Sequence, residues 1–297
     1  MFDRILADYL VRSGKIGPES LEKIFDLQAR KRVRLGMIAE SENLMTPSQV
    51  EEINKLQSLT DKRFGDLAVE KGYLTDNQVS RLLTLQGNGF LSFVQSAVDL
   101  KFITMNEIVD LLNDFQQDNG YTLTDMEDFK SCDIDRIVPI YLYDLPPYAK
   151  ELIGVAIRTL SRLVDYHVYL ERPYTSDKLI CDNLCYQASH GDFNLLLAIS
   201  GDTETLMKTA IGFAGSEYIE DMDDALDSIC ELINCINGIF ATDISHRFIN
   251  IDMVAPHYHI GSNTVNSEDI INVPLHVFDK SITLSVILSD NFTVEES

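Results

Sequence analysis

The chain has 297 residues, of which 45% are hydrophobic, and a formal net charge of −23, so its length favours two domains with real cores. It has no apolar run of roughly 18 residues, and its acidic, amphipathic N-terminus is unlike a signal peptide, which together exclude membrane insertion and predict a cytoplasmic protein. The five cysteines have spacings that force neither a disulfide nor a zinc site, as expected for free thiols in a reducing compartment.

The negative charge is concentrated in the second part of the chain. Residues 1–117 contain 14 Lys and Arg against 17 Asp and Glu, whereas residues 118–297 contain 10 against 30. Such an excess of acid repels nucleic acid polymers and anionic membranes. The change in charge predicts a domain boundary near residue 120. We expect domains at 1–120 and 144–297, joined by an acidic, turn-rich linker at 121–143.

The first part contains a sequence repeat. Two segments, 34–57 and 63–86, align without a gap at an offset of 29 residues. A weaker copy ends at Gln28, and a degenerate copy lies around residues 100–115. Self-similarity at a fixed period indicates stacked units that bury a hydrophobic face only together.

Each repeat is predicted to contain two short helices. The first helix ends at Asn43 or Gly72, residues that suit a left-handed C-cap. The second begins after Thr46 or Thr75, which are good N-caps, and its apolar residues have helical spacing. This pattern is typical of a helical adaptor that binds another protein.

The two central repeats resemble the MshEN-type domain at the N-terminus of type II secretion and pilus ATPases. Both begin with Arg, an apolar residue and Gly, both end in Gln, and five residues separate them. Some members of that family bind cyclic di-GMP. Arginine can hold phosphate and stack on a base, and glycine lets the backbone approach a ligand. The resemblance implies a cyclic di-GMP site formed by Arg34, Leu35, Gly36, Gln57, Arg63, Phe64, Gly65 and Gln86. Glu40 and Asn43 depart from the family pattern, which has an apolar residue and a glycine there.

The second part is predicted to have an α+β fold. We expect an amphipathic helix at 148–166, a capped helix at 201–215 and a long helix at 222–240. Stretches that alternate or are apolar, as in strands, lie at 167–171, 179–189, 193–200, 248–262, 270–278 and 281–290. The fold class is therefore an all-helical repeat domain followed by a domain of long helices packed on an antiparallel sheet.

The helix at 222–240 places polar residues on the side opposite its apolar face. At 100° per residue, Asp227, Glu231, Asn234 and Gly238 fall together, with Glu231 and Asn234 one turn apart. Asparagine is a poor helix former, so its presence there calls for a reason. A solvated polar face is one interpretation, because E-x-x-N also occurs at Glu40–Asn43 and Glu51–Asn54 inside the repeats.

The surrounding pattern D-x-x-x-E-L-x-N-x-x-x-G, followed by Pro256 and Gly261, resembles the CheX/CheC/FliY family of chemotaxis phosphatases. The resemblance extends over roughly residues 145–293 and implies a CheX-like α+β fold. In that family the acid and the amide of E-x-x-N hydrolyse the aspartyl phosphate of the response regulator CheY, which binds its own magnesium. By this resemblance Asn234 orients the attacking water and Glu231 pairs with a lysine of the regulator, while Asp227 and Gly238 belong to the docking surface.

Several departures and alternatives remain at this point. Cys230 stands where a glycine commonly precedes the acid, and Glu151 is followed three residues later by Gly154, so the first helix carries no second E-x-x-N. One active helix per chain is the CheX-like pattern, which also implies a homodimer. His257 and His259 share a strand face but have no evident third metal ligand, and no cofactor of the chain's own is expected. The other hypothesis is a non-enzymatic signalling adaptor with a CheX-like docking domain and repeats that bind cyclic di-GMP or a protein.

Overall fold

The computed structural model describes residues 1–60, 62–278 and 280–296, and the chain divides into two compact units. The first unit comprises residues 2–133 and the second begins at Ile134. This boundary lies within the segment expected to be a linker. That segment forms two helices, α9 and α10, because Thr122 caps a helix and its side chain and that of Asp125 bond each other's backbone N–H groups. The residues that suggested a turn are therefore a helix start.

The first unit is all-helical, as predicted, and its helices are short. They are α1 (Phe2–Arg12), α2 (Pro18–Arg30), α3 (Leu35–Ser41), α4 (Pro47–Leu59), α5 (Phe64–Glu70), α6 (Asp76–Thr84), α7 (Gly89–Asp99), α8 (Met105–Asn119) and α9 (Leu123–Ser131). A short 3-10 helix, Leu85–Gly87, precedes α7. Aromatic rings from α1, α7, α8 and α9 meet in its core, where the Phe2 ring lies 5.1 to 5.7 Å from three phenylalanine rings.

Four copies of the repeat are visible in the backbone. The second helices of the copies, α2, α4, α6 and α8, begin at Pro18, Pro47, Asp76 and Met105, a constant step of 29 residues. The turn before each contains one residue with positive φ at the same phase: Gly14, Asn43, Gly72 and Lys101. The predicted caps at Thr46 and Thr75 are confirmed, and Thr104 forms the same capping box in the last copy. The terminal copies thus keep the turn geometry without the Arg-x-Gly sequence.

The second unit is α+β, as predicted. Its helices are α10 (Ile134–Tyr141), α11 (Pro147–Leu163), α12 (Thr203–Ala214) and α13 (Met222–Ser245), with a 3-10 helix at Ser216–Tyr218. Its strands are β1 (Tyr169–Leu170), β2 (Tyr174–Cys181), β3 (Asn183–Gly191), β4 (Leu195–Gly201), β5 (Ile251–Met253), β6 (His257–His259), β7 (Asn263–Val277), β8 (Lys280–Ile287) and β9 (Phe292–Glu296). The sequence patterns missed β9 and the first half of β2, whose residues are largely exposed and lack a buried alternating face.

The strands form one antiparallel sheet with the order β1-β7-β8-β4-β3-β5. Strands β2 and β9 also pair with β7, and β6 pairs with β3. Helix α13 contacts β3 and β4 as well as the helices α11 and α12. Strand β4 is buried along almost its whole length, which fits its position between β8 and β3. The long helix is therefore fixed against the middle of the sheet.

Within the described residues, none of the helices combines the length and the apolar composition that crossing a membrane would require.

Candidate functional site

Helix α13 displays the polar residues singled out from the sequence. Asp221 caps its N-terminus by accepting a hydrogen bond from the Asp224 backbone N–H at 3.0 Å. The helix runs to Ser245, five residues beyond the predicted end at Phe240. All the apolar residues assigned to its inner face are buried except Met222, which is half-buried. The opposite side of the helix is therefore the side open to another molecule.

Glu231 and Asp227 lie on this open side as exposed carboxylates. Neither forms a hydrogen bond or an ion pair with the described residues. An exposed carboxylate without an internal partner can accept a cationic group of another protein without breaking an existing bond. By contrast Glu151 on α11 is bound by the Arg247 guanidinium, one of whose bonds is 3.0 Å long. Glu151 is therefore occupied within the unit.

Gly238 leaves the next turn of the open side without a bulky group. A Cβ atom placed there would have only the Met253 methyl within reach, at 4.0 Å. The position is half-buried, and β5 carries that methionine at the edge of the sheet. A flat partner surface can thus approach the helix closely at this turn.

Asn234 is half-buried, and its carboxamide is held from below. Its Oδ1 accepts a hydrogen bond of 2.9 Å from Nε2 of Gln187, a buried residue on β3. The Asn234 NH2 group forms no hydrogen bond with the described residues. The amide is therefore fixed through its oxygen, while its donor hydrogens and the second oxygen lone pair stay available.

Gln187 was missed from the sequence, although one signal pointed to it. Residues 185, 187 and 189 of β3 alternate on the buried face. A glutamine at such a position needs partners for both ends of its amide, since an unpaired buried amide is costly. Its position therefore indicated a buried hydrogen-bond network, but the sequence alone did not show with which residues.

An open depression of about 540 Å³ lies beside the carboxylates. Its lining includes Asp227 and Glu231 from α13 and His257 and Tyr258 from β6. The Tyr258 hydroxyl donates a hydrogen bond of 3.1 Å to Asp223, and this bond raises the pKa of Tyr258. The ring is thereby fixed as one wall of a depression with two free carboxylates on the other.

The two histidines of the β6 region share one face, as the alternation predicted. The rings of His257 and His259 each lie 5.8 Å from the ring of Tyr186 on β3. The His259 Nε2 lies 3.3 Å from the Tyr186 hydroxyl oxygen. In the described part of the chain no cluster of three or more His, Cys, Asp or Glu side chains could hold a metal ion.

Cys230 is a buried thiol under α13, although it precedes the exposed Glu231. It interacts with Cys185 of β3, and hydrogen bonding with Cys230 together with burial raises the pKa of the Cys185 thiol. Both groups are therefore uncharged at neutral pH. All five cysteines are free thiols. A cysteine in place of glycine at this position adds packing between helix and sheet and leaves the exposed side unchanged.

The residues assigned to a nucleotide site lie around α3 and α5 of the helical unit. Arg34 and Arg63 are the N-cap residues of these helices, and both side chains are exposed. The Arg34 guanidinium pairs with Asp99 of α7, whereas Arg63 forms no bond with the described residues. Gln57 and Gln86 bond carbonyl groups of the chain itself, Lys62 O at 3.4 Å and Val33 O at 2.9 Å.

The two glycines of the Arg-x-Gly motifs allow close packing within the unit. A Cβ on Gly36 would lie 2.8 Å from Val50 and 2.9 Å from the Phe64 ring. A Cβ on Gly65 would lie 2.8 Å from Val79 and 3.5 Å from Leu35. The apolar residue of each motif thus packs over the glycine of the other. The motif has a structural role in joining the two repeats, whatever it binds.

This packing predicts that Gly36→Ala destabilises the helical unit by about 1–3 kcal/mol, the usual range for an overpacked core. The added methyl group would meet the buried Phe64 ring and Val50, which have little room to shift. Hydrogen-exchange mass spectrometry of the full chain should show faster exchange in α3 to α6. Gly87→Ala is the matched control, because nothing lies within 4 Å of its added methyl group. Equal exchange in the two variants would contradict the prediction.

No protein-family model matches the chain, and no curated protein matches it. Several solved structures are similar to its C-terminal half. The CheX protein of Desulfovibrio desulfuricans is 15% identical with a TM-score of 0.44, and the match covers 48% of this chain and 100% of that one. A complex of CheX, CheY, BeF3 and Mg2+ from Borrelia burgdorferi is 18% identical with a TM-score of 0.40, covering 50% and 98%. FliY of Thermotoga maritima is 15% identical with a TM-score of 0.35, covering 51% and 91%. The likeness is one of fold.

Proposed function

We propose that the α+β unit is a phosphatase that hydrolyses the aspartyl phosphate of a CheY-type response regulator. One observation carries this proposal. Glu231 and Asn234 lie one turn apart on the open side of α13, the first without a partner in the described residues and the second held by Gln187. A solvated polar face would not need a buried glutamine to fix one of its amides.

The chemistry needs a water molecule held in line with the phosphorus atom and little else from the protein. The Asn234 amide has a free NH2 group and a second oxygen lone pair, so it can bind the water and a phosphoryl oxygen together. The magnesium ion for this reaction would be bound by the regulator as part of the substrate. Asn234 is therefore the residue assigned to orient the water.

The carboxylates assigned to docking stand beside this amide. Glu231 is available to pair with a lysine of the regulator, and Asp227 adds a second negative charge one turn earlier. The depression between α13 and Tyr258 gives such a side chain a place to enter. A charged pair at the edge of an interface acts mainly on encounter and orientation. Docking and chemistry are thus assigned to different residues.

The decay of phosphorylated regulators tests the proposal. The full chain is added to each of several CheY-type regulators carrying a radiolabelled aspartyl phosphate with magnesium present. We expect the label to leave at least one regulator faster with the protein than without it. Unchanged decay for all of them would reject the enzyme and leave the adaptor hypothesis, in which the α+β unit only docks or dimerises.

A second candidate function is binding of cyclic di-GMP by the helical unit, and the matched placement of two exposed arginines favours it. Arg34 and Arg63 occupy equivalent positions at the starts of α3 and α5. Two guanidinium groups related in this way suit a ligand with two phosphates and two guanines. Binding would have to open the Arg34–Asp99 pair.

We expect cyclic di-GMP binding, measured by calorimetry on the full chain, to weaken at least about tenfold in Arg63→Ala, the loss typical of one charged hydrogen-bonded contact. Arg32→Ala is the matched control, because Arg32 is also exposed but lies outside the Arg-x-Gly motifs. The absence of heat with wild type at high micromolar ligand would contradict nucleotide binding. The helical unit would then be assigned to binding a protein.

A further inference from the structure

We propose that Gln187 is a positioning residue that fixes which end of the Asn234 amide faces the docking partner. Three carboxamides form a chain from the core to the open side of α13. Asn237 Nδ2 donates to Gln187 Oε1 at 2.8 Å, and Gln187 Nε2 donates to Asn234 Oδ1 at 2.9 Å. Asn237 is completely buried, Gln187 is 1% exposed, and Asn234 is half-buried. The inference rests on the proposed phosphatase function and extends it to a residue on another element.

The backbone sets the direction of this chain of bonds. Gln187 Nε2 also donates to the Val254 carbonyl oxygen at 2.8 Å. A carbonyl oxygen only accepts, so the reversed glutamine amide would bring two acceptors together. The NH2 end of Gln187 therefore faces Val254 and Asn234. The group of Asn234 that meets it has to be the acceptor, Oδ1.

The opposite end of Gln187 is fixed by the same logic. Its Oε1 faces the Asn237 NH2 group, whereas a reversed Asn237 would present an oxygen to it. Every reversal in the chain of three amides places like groups against each other. The polarity of Asn234 is thus determined by a backbone carbonyl on a neighbouring segment.

This polarity matters because the last torsion of an asparagine side chain is soft and nearly two-fold. Without the Gln187 donor, an amide with oxygen and nitrogen exchanged fits the same space. The in-line water and the phosphoryl oxygen would then meet the wrong groups. Positioning through a second residue is what holds a reacting group to within a fraction of an ångström. Gln187 acts through Asn234 and does not touch the phosphoryl group.

The variant that tests the inference is Gln187→Met, which keeps an unbranched side chain of similar length and removes the donors. We expect kcat for regulator dephosphorylation to fall about tenfold to a hundredfold, the scale of a misplaced reacting group. The KM for the regulator should stay within about twofold, because docking depends on Glu231. In an Asn234→Ala background the same change should have no further effect on kcat. A purely structural role would lower kcat in both backgrounds.

Asn272→Leu serves as the matched control. Asn272 is a fully buried carboxamide of the same unit, but its side chain bonds Ser176 on β2 and Ser285 on β8. This variant should lose stability comparably while its folded fraction keeps the wild-type kcat. A folded Gln187→Met with kcat within twofold of wild type would overturn the inference. So would an equal loss of kcat in the two variants.

A measurement on the wild-type chain decides the inference if Gln187→Met does not fold. The Gln187 side-chain NH2 protons, both bonded, should exchange with solvent at least tenfold more slowly than those of exposed Gln117 in NMR spectra. In Asn234→Ala one of the two should exchange faster. Exchange of Gln187 at the rate of Gln117 would overturn the positioning. Slow exchange in a chain that dephosphorylates no regulator would reject the proposed function and leave the amide chain intact.

Discussion

Asn234→Ala should abolish the acceleration of regulator dephosphorylation. We expect kcat to fall by at least about a hundredfold, the loss typical when one oriented hydrogen-bonding group is removed from a reaction site. The alanine keeps the helix, because Asn is a poorer helix former than Ala and only the bond to Gln187 is lost. The loss is measured as single-turnover decay of the phosphorylated regulator at saturating protein. The binding of the regulator should be unchanged.

Two further variants make this result specific. Asn234→Asp keeps an acceptor for Gln187 but removes the NH2 group and adds a negative charge, so it should also be inactive. Cys235→Ala, at the next and exposed position of α13, should retain full activity. Activity of Asn234→Ala equal to that of Cys235→Ala would remove Asn234 from the mechanism.

Glu231→Lys should weaken the interaction with the regulator more than it changes the chemistry. The reversed charge would face a lysine at the docking surface, and like charges placed together at an interface cost several kcal/mol. We expect KM to rise at least about tenfold, while kcat at saturation changes little. The effect should shrink at high salt, because exposed charges are screened. Steady-state dephosphorylation at several regulator concentrations separates the two constants.

Glu268→Lys is the matched control for this charge reversal. Glu268 is exposed on β7, away from the open side of α13, and makes no bond with the described residues. It changes the net charge by the same amount as Glu231→Lys. If the two variants raised KM equally, the long-range field of this acidic unit would explain the effect. A specific pairing at Glu231 would then be rejected.

The open side of α13 could be predicted from the sequence because helical periodicity is a local property. Spacing alone separated Glu231 from the apolar face, and the model places that carboxylate in solvent. Gln187 could not be predicted in the same way. It lies 47 residues from Asn234 in the chain, and only the pairing of β3 under α13 brings the two amides together. Long-range side-chain contacts depend on the fold as a whole.

The repeats show the same limit from the other direction. The Arg-x-Gly motif made two copies visible in the sequence, but its glycines are needed only where the two central helices α3 and α5 pack against each other's side chains. The outer copies keep the turn and capping geometry with other residues, as in Lys101 and Thr104. Backbone geometry is satisfied by several residue types, so a search for identical residues finds fewer copies than the fold contains. The helices α9 and α10 were missed because their capping residues also suit turns.

The constant step of 29 residues restricts how the length of the helical unit can change. Each turn is positioned so that its left-handed residue, its cap and its buried apolar residue recur at the same phase in all four copies. A single inserted residue in one turn would rotate the following helix by about 100° and carry its apolar face away from its neighbours. Viable length variants of this unit are therefore quantised: they gain or lose whole copies, and drift by single residues is confined to the chain outside them.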